Sequence, residues 1–119
     1  MSYHHLGRIA QEQRNFATAE TWYRKTLHID KMKGNEHGAA KTYSQLAILM
    51  GLQENFEEAG KWLIKGMFVF LRFNDNHADK IATKWFMKFY NQSPPEIQQR
   101  LKNMWEESLG EFPDPAKNE

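Results

Sequence analysis

The segment FATAETWYRK at residues 16–25 returns forty positions later as FEEAGKWLIK at residues 56–65. Phe16 falls on Phe56, Ala19 on Ala59, Trp22 on Trp62 and Lys25 on Lys65. The register holds on both sides of this segment. Upstream, Tyr3, Leu6, Gln13 and Asn15 match Tyr43, Leu46, Gln53 and Asn55, and downstream His37 matches His77. Similar residues fill in between: Gly7 with Ala47, Ile9 with Leu49, Leu27 with Met67 and Ile29 with Val69. Nine identities at one offset, several at large aromatic positions, are not a chance agreement. A period of this length marks an array in which each unit buries its apolar face against the next.

Each unit reads as a pair of helices. In the first, Tyr3, Leu6, Ile9 and Ala10 recur at helical spacing, and Gln13-Arg14-Asn15 makes a turn. Asn15 then serves as an N-cap for a second helix carrying Phe16, Ala19, Tyr23, Leu27 and Met32. Asn55 caps the equivalent helix, with Glu58 in capping-box position. Gly34-Asn35 and Asn74-Asp75-Asn76 punctuate the long helices, and no segment alternates as a strand would. Small residues set the packing: Gly7 or Ala47 on the first helix is expected to lie against Ala19 or Ala59 on the second.

These residues carry a family resemblance. Tyr3-x-x-Leu6-Gly7-x-Ile9-Ala10, followed by Phe16-x-x-Ala19-x-x-Trp22-Tyr23-x-x-x-Leu27, resembles the tetratricopeptide repeat, in its extended variety of about forty residues. The resemblance covers residues 1 to about 80 and fades beyond. It implies an all-α, right-handed helical-hairpin solenoid of about two and a half repeats plus a C-terminal capping helix. The units span 1–36 and 37–76, with a degenerate unit at 77–92 where Phe86 and Met87 replace Leu46 and Ala47. Ser93 is expected to cap a closing helix over 94–109, with Pro94 in its first turn and Glu96 completing a capping box. Ile97, Leu101, Met104, Trp105 and Ser108 line one face of that helix, whose cover accounts for the apolar run Met67 to Phe73. Residues 110–119, with Pro113 and Pro115, read as a flexible tail. The first helix has no comparable cover. That pattern suggests the C-terminal piece of a longer array, or a small protein whose first helix meets a second copy.

Composition narrows the function classes. Sixteen Lys and Arg against fifteen Asp and Glu leave a net charge of +1, giving no general attraction to nucleic acid or a membrane surface. With no cysteine there is no thiolate metal site or Cys nucleophile. The Leu63–Phe73 run, broken by Lys65 and Arg72, is far short of the ~20 residues a membrane span needs. His4 and His5 are adjacent and diverge on a helix, and His37 and His77 share one repeat slot, which suits a repeated structural role. No ligand spacing, phosphate loop or nucleophile elbow appears, so no cofactor, metal or catalytic role is expected.

What remains is binding. In the family the first helices line a concave face that takes the partner. The positions expected there are His4, Arg8, Gln11 and Glu12, then Lys41, Ser44, Gln45 and Ile48, then Lys84, Lys88 and Asn91. Arg8, Lys41, Lys84 and Lys88 would favour an acidic segment or a C-terminal carboxylate, with a merely solvated polar face as the competing reading. The family's chaperone-tail clamp is not matched, because its places carry His4, Arg8, Gln45, Ile81 and Trp85. Trp22 and Trp62 sit off the core line on the outer side of the second helices, where they either pack successive second helices or form a self-association patch. The sequence therefore points to a cytoplasmic protein-interaction module within a larger signalling or scaffold protein, of the kind common in bacterial signalling. The alternative is a self-associating structural module, homodimeric through its uncovered first repeat.

Overall fold

The computed structural model describes residues 2–113. Within them the chain forms α1 (Tyr3–Glu12), α2 (Phe16–Met32), α3 (Glu36–Leu52), α4 (Phe56–Arg72), α5 (Asn76–Gln92) and α6 (Pro95–Leu109), with no strand. The helices α2 to α5 are each 17 residues long. Adjacent helices in the chain pack on one another from α1 to α5, so two helical hairpins and a fifth helix stack into an all-α solenoid.

A finer clock runs inside the forty-residue period. Arg14, Gly34, Glu54 and Asn74 all adopt left-handed backbone, with φ between 54° and 66°. They lie twenty residues apart, one at the end of each helix from α1 to α4. In each turn the next amide reaches back to the carbonyl five residues earlier: Asn15 to Ala10, Asn35 to Asp30, Asn55 to Met50 and Asp75 to Phe70, at 2.8–2.9 Å. This is the six-to-one bond that closes a helix on a left-handed residue. The residue after it then starts the next helix. Asn35 and Asp75 accept the amides of Gly38 and Ala78 at 2.9 and 3.0 Å, and Asn15 accepts that of Thr18 at 3.4 Å. Asn55 departs from expectation, since its side chain caps nothing and Glu58 pairs with Lys61 at 3.7 Å rather than closing a capping box.

Packing inside the hairpins is set by size. A Cβ at Gly7 would stand 2.5 Å from the Tyr23 ring, so it is this ring, rather than Ala19, that needs the glycine. In the second unit Leu63 replaces Tyr23 and Ala47 replaces Gly7, keeping the pair's volume similar. Burial pushes the Tyr23 hydroxyl up to about 12, and the neutral group donates to Gln11 Oε1 at 3.0 Å. Of the eight largest fully buried side chains, Leu46, Leu49, Leu63, Met67 and Phe70 belong to α3 and α4, and the other three are Tyr23, Phe86 and Leu101.

The third unit breaks the rule. Ser93 and Pro94 are both extended, with ψ of 149° and 160°, as residues that precede proline must be. Ser93 is therefore not the expected N-cap. Its hydroxyl donates to Phe89 O at 2.7 Å and finishes α5, while Pro94 precedes α6 without a side-chain cap. The helix α6 follows α4 more closely than α5. On the α5 side the rings of Phe86 and Trp105 hold the helices apart, centroids 5.0 Å from each other. On the α4 side Gly60 leaves room for Leu101, and Arg100 bonds Glu57 at 2.9 Å. The cover is partial. Met67, Val69 and Phe70 are buried, but Phe68, Leu71 and Phe73 stay exposed, so α6 does not account for the whole apolar run.

Of the tail expected from residue 110, the start holds against the body: Phe112 packs on Tyr90, Trp105 and Phe86, and the Trp105 indole donates to Glu111 O at 3.0 Å. Residues 114–119 lie outside the described residues.

The left-handed positions make a two-way test. Glu54→Gly should raise stability by about 1 kcal/mol, because it removes the Cβ penalty at φ 62°. Gly34→Ala should lower it by a similar amount although nothing surrounds the site. Shifts in the denaturant midpoint of opposite sign check both.

Candidate functional site: a groove across the first helices

The first helices do come together. A groove of about 300 Å3 is lined by His4 of α1, by Lys41, Ser44, Gln45 and Ile48 of α3, and by residues at the start and middle of α5. From α5 come His77, Ala78, Ile81, Ala82 and Trp85, with Asp75 at its N-cap and Phe70 of α4 at the floor. Each unit presents this face because its α-helical period places positions three and four apart on one side.

Five of the residues expected on this face thus line the groove. The others do not. Gln11 is turned to the Tyr23 hydroxyl inside the first hairpin. Arg8 and Glu12 are exposed on α1, close enough to bias the charge of Tyr23. Lys84 and Asn91 are exposed on α5 outside the lining, while Lys88 sits beside it, its Nζ 4.9 Å from the Trp85 ring centroid. Four of the five clamp places, His4, Gln45, Ile81 and Trp85, border the groove with chemistry unlike the clamp's. Ile81 is 45% exposed, and with Ile48 and Trp85 it gives the groove an apolar centre.

The charges are few and specific. Burial, followed by the nearby Arg8 and His5 charges, lowers the pKa of His4, so that side chain is neutral near pH 7. Lys41 lies close to Asp75. Asp75 is bound on both oxygens, accepting the Ala78 amide at 3.0 Å and the His37 Nε2 proton at 2.8 Å. These two hydrogen bonds hold its carboxyl below the ordinary carboxylate range, the Ala78 amide contributing most. His37 in turn stacks on Phe73, centroids 5.0 Å apart and planes within 9°. The repeated histidine slot therefore has two environments: His37 ties α3 to the cap of α5, whereas His77 is exposed in the groove.

The tryptophans also find partners. Trp22 stacks on Tyr3 at 5.3 Å and Trp62 lies against Tyr43 at 5.4 Å, each tryptophan on the first helix of its own unit. Lysine ammonium groups cap these pairs, Lys25 at 4.9 Å from Trp22 and Lys65 at 5.3 Å from Trp62. Among the described residues no group of three or more His, Cys, Asp or Glu could hold a metal ion, and no helix is long and apolar enough to cross a membrane.

A family model described as tetratricopeptide repeat matches residues 1–66, more than half of the chain. The chain belongs to the tetratricopeptide repeat family. Its matched part runs from α1 into α4, and α5 and α6 lie outside it. Tetratricopeptide repeats are generally protein–protein interaction modules and typically not enzymes. No curated protein and no solved structure matches the chain.

Asp75 gives a pH test with a definite sign. Because its folded carboxyl is more acidic than in the unfolded chain, its stabilising effect is present above pH 4 and is lost as pH falls through the folded value. Asp75→Asn keeps an acceptor for Ala78 but no charge. The stability gap between the native chain and this variant should be wide at pH 5 and should close towards pH 2, as thermal melts across that range would show.

Proposed function

We propose that this tetratricopeptide-repeat domain binds a peptide or partner protein in the groove across α1, α3 and α5, as part of a larger cytoplasmic signalling or scaffold protein. The observation that carries this is the mixed lining. Ile48, Ile81 and Trp85 offer an apolar seat, while Lys41 and Lys88 flank it with positive charge and Ser44 and Gln45 supply hydrogen-bonding groups. An anchor side chain on an acidic segment suits that set, since binding energy concentrates on buried aromatic and apolar contacts and charge steers the approach. The Asp75 carboxylate also borders the groove and keeps its negative charge, with Lys41 close by to offset it.

A second reading rests on a specific contrast. Tyr3 is 40% exposed, whereas its repeat mate Tyr43 is 8% exposed. The face of α3 that the preceding α2 covers is thus open at the equivalent place on α1. Self-association through this face, with Trp22 beside it, is the structural alternative. Sedimentation equilibrium of the chain decides it: a monomer at several hundred micromolar would eliminate the dimer.

Binding is tested by selecting peptides from a random displayed library and titrating the winners. Lys41→Glu and Ile81→Ser should each weaken a selected peptide at least tenfold, ~1.4 kcal/mol or more, without lowering the melting temperature. Selected peptides that ignore both changes would show that the groove is not the site.

A further inference from the structure

The forty-residue repeat displays one face twice in the same molecule, once covered and once open. On α3 the residues Tyr43, Leu46 and Leu49 are buried, and α2 of the preceding unit packs on that helix. Their equivalents on α1 are Tyr3, Leu6 and Ile9. Tyr3 is exposed, and Leu6 and Ile9 are only half-buried. Among the described helices α1 packs chiefly on α2, its own hairpin partner.

What α2 brings to the covered face is specific. Arg24 holds its guanidinium 6.0 Å from the Trp62 ring centroid, and Lys31 holds its ammonium 5.9 Å from that of Tyr43. Both contacts run from one unit to the next. Arg24 and Lys31 stand two helical turns apart on one side of α2, with the buried Leu27 between them. The rings they reach, Tyr43 and Trp62, are themselves paired at 5.4 Å. The boundary between units thus combines an apolar seam with two cations set over rings.

The two halves of this contact go together along the chain. The helix α4 carries Ile64 and Leu71 where α2 carries Arg24 and Lys31. The helix that α4 packs on, α5, carries Thr83 where α3 carries Tyr43. Where the basic pair is lost, its receiving ring is lost as well. The first unit keeps the receiving half: Tyr3 and Trp22 stack at 5.3 Å with planes within 19°. Lys25 already lies over these rings, at 5.7 and 4.9 Å. That does not bar a further cation, because Lys65 and Lys31 both reach the Tyr43 ring in the second unit, at 4.9 and 5.9 Å.

We propose that the open face of α1, with Trp22 beside it, is a docking site for a helix of a partner protein that carries two basic residues seven apart along an apolar stripe. The partner helix takes on α1 the place that α2 takes on α3. A second copy of the chain is a poorer occupant. Within the described helices basic residues stand seven apart twice, as Arg24 with Lys31 and Lys65 with Arg72. The first three of these are engaged on Tyr43 and Trp62, and Arg72 bonds Glu36 at 2.6 Å. Tyr3, Leu6 and Ile9 do not line the groove across the first helices, so this site can fail independently of that one.

The test is fluorescence anisotropy of the full chain with a labelled helical peptide bearing Arg and Lys seven apart beside a leucine stripe. The same peptide with Gln at both basic positions is the comparison probe. The basic peptide should bind, and the Gln peptide about fivefold or more weakly. Tyr3→Ala, checked for native helicity, should weaken the basic peptide roughly tenfold or more and erase most of its advantage over the Gln peptide. Tyr3→Phe, which keeps the ring, should bind as the native chain does, and Ile81→Ser should leave binding intact. Absence of binding, equal binding of the two peptides, or indifference to Tyr3→Ala would overturn the proposal. Loss on Ile81→Ser would move the peptide to the first-helix groove, and a native dimer in sedimentation that Tyr3→Ala dissociates would give the face to a second copy; either outcome refutes it.

Discussion

Every other feature of this molecule hangs on a backbone event that recurs each twenty residues. A residue turns left-handed, the next amide bonds back across the helix end, and that same residue begins the following helix. The geometry fixes where one helix stops and how the next departs, so the 17-residue helices α2 to α5 stack without adjustment. The constraint acts on conformation, not on side-chain identity. Arg14, Gly34, Glu54 and Asn74 share a φ of one sign and little else. Three of the four accept a conformation that glycine would adopt more readily, so the flanking bonds over-determine the turn.

This explains what the sequence disclosed and what it concealed. The forty-residue period was legible because Tyr, Phe and Trp recur at packing positions where volume matters. The twenty-residue clock was hidden because its key position carries four different residues. Helix number and the failure of the third unit at Phe86 and Met87 were also readable, but the consequence of that failure was not. Phe86 stands where Leu46 stood and meets the Trp105 ring, while α6 lies closer to α4, where Gly60 leaves the gap that Leu101 fills. The capping assignment at Ser93 failed for a local reason, since Pro94 and Pro95 straighten the backbone and the Phe89 carbonyl takes its hydroxyl, whereas nothing in the structure explains why Asn55 makes no cap bond.

The groove across the first helices was half legible. Lys41, Ser44, Gln45 and Ile48 followed from one unit's helical period. The α5 contribution was harder, because exposed charge drew attention to Lys84 and Lys88, while the lining itself is Ile81, Ala82 and Trp85. Lys88 still lies beside it, on the Trp85 ring. Asp75 could be read as a cap but not as a bridge, since its bond to His37 joins residues 38 apart. Repeats of this kind thus supply two different surfaces: one whose residues change from unit to unit, and one where the Tyr–Trp–Lys cluster is kept and its surroundings vary.

The seat of α6 on α4 has a bearing on how the molecule comes apart. In a simple stack each unit is held only by its neighbours in line, and opening can begin at either end. Here α6 bypasses α5 to grip α4, with Phe112 closing over Phe86, Tyr90 and Trp105. The two C-terminal helices are thereby bound to the second hairpin as one cooperative block. Among the described helices the first hairpin packs on the rest mainly through α2 against α3, without a second anchor of that kind, and opens more readily. Amide exchange would accordingly slow from α1 towards α4, giving the domain a soft end and a hard end built from the same repeat.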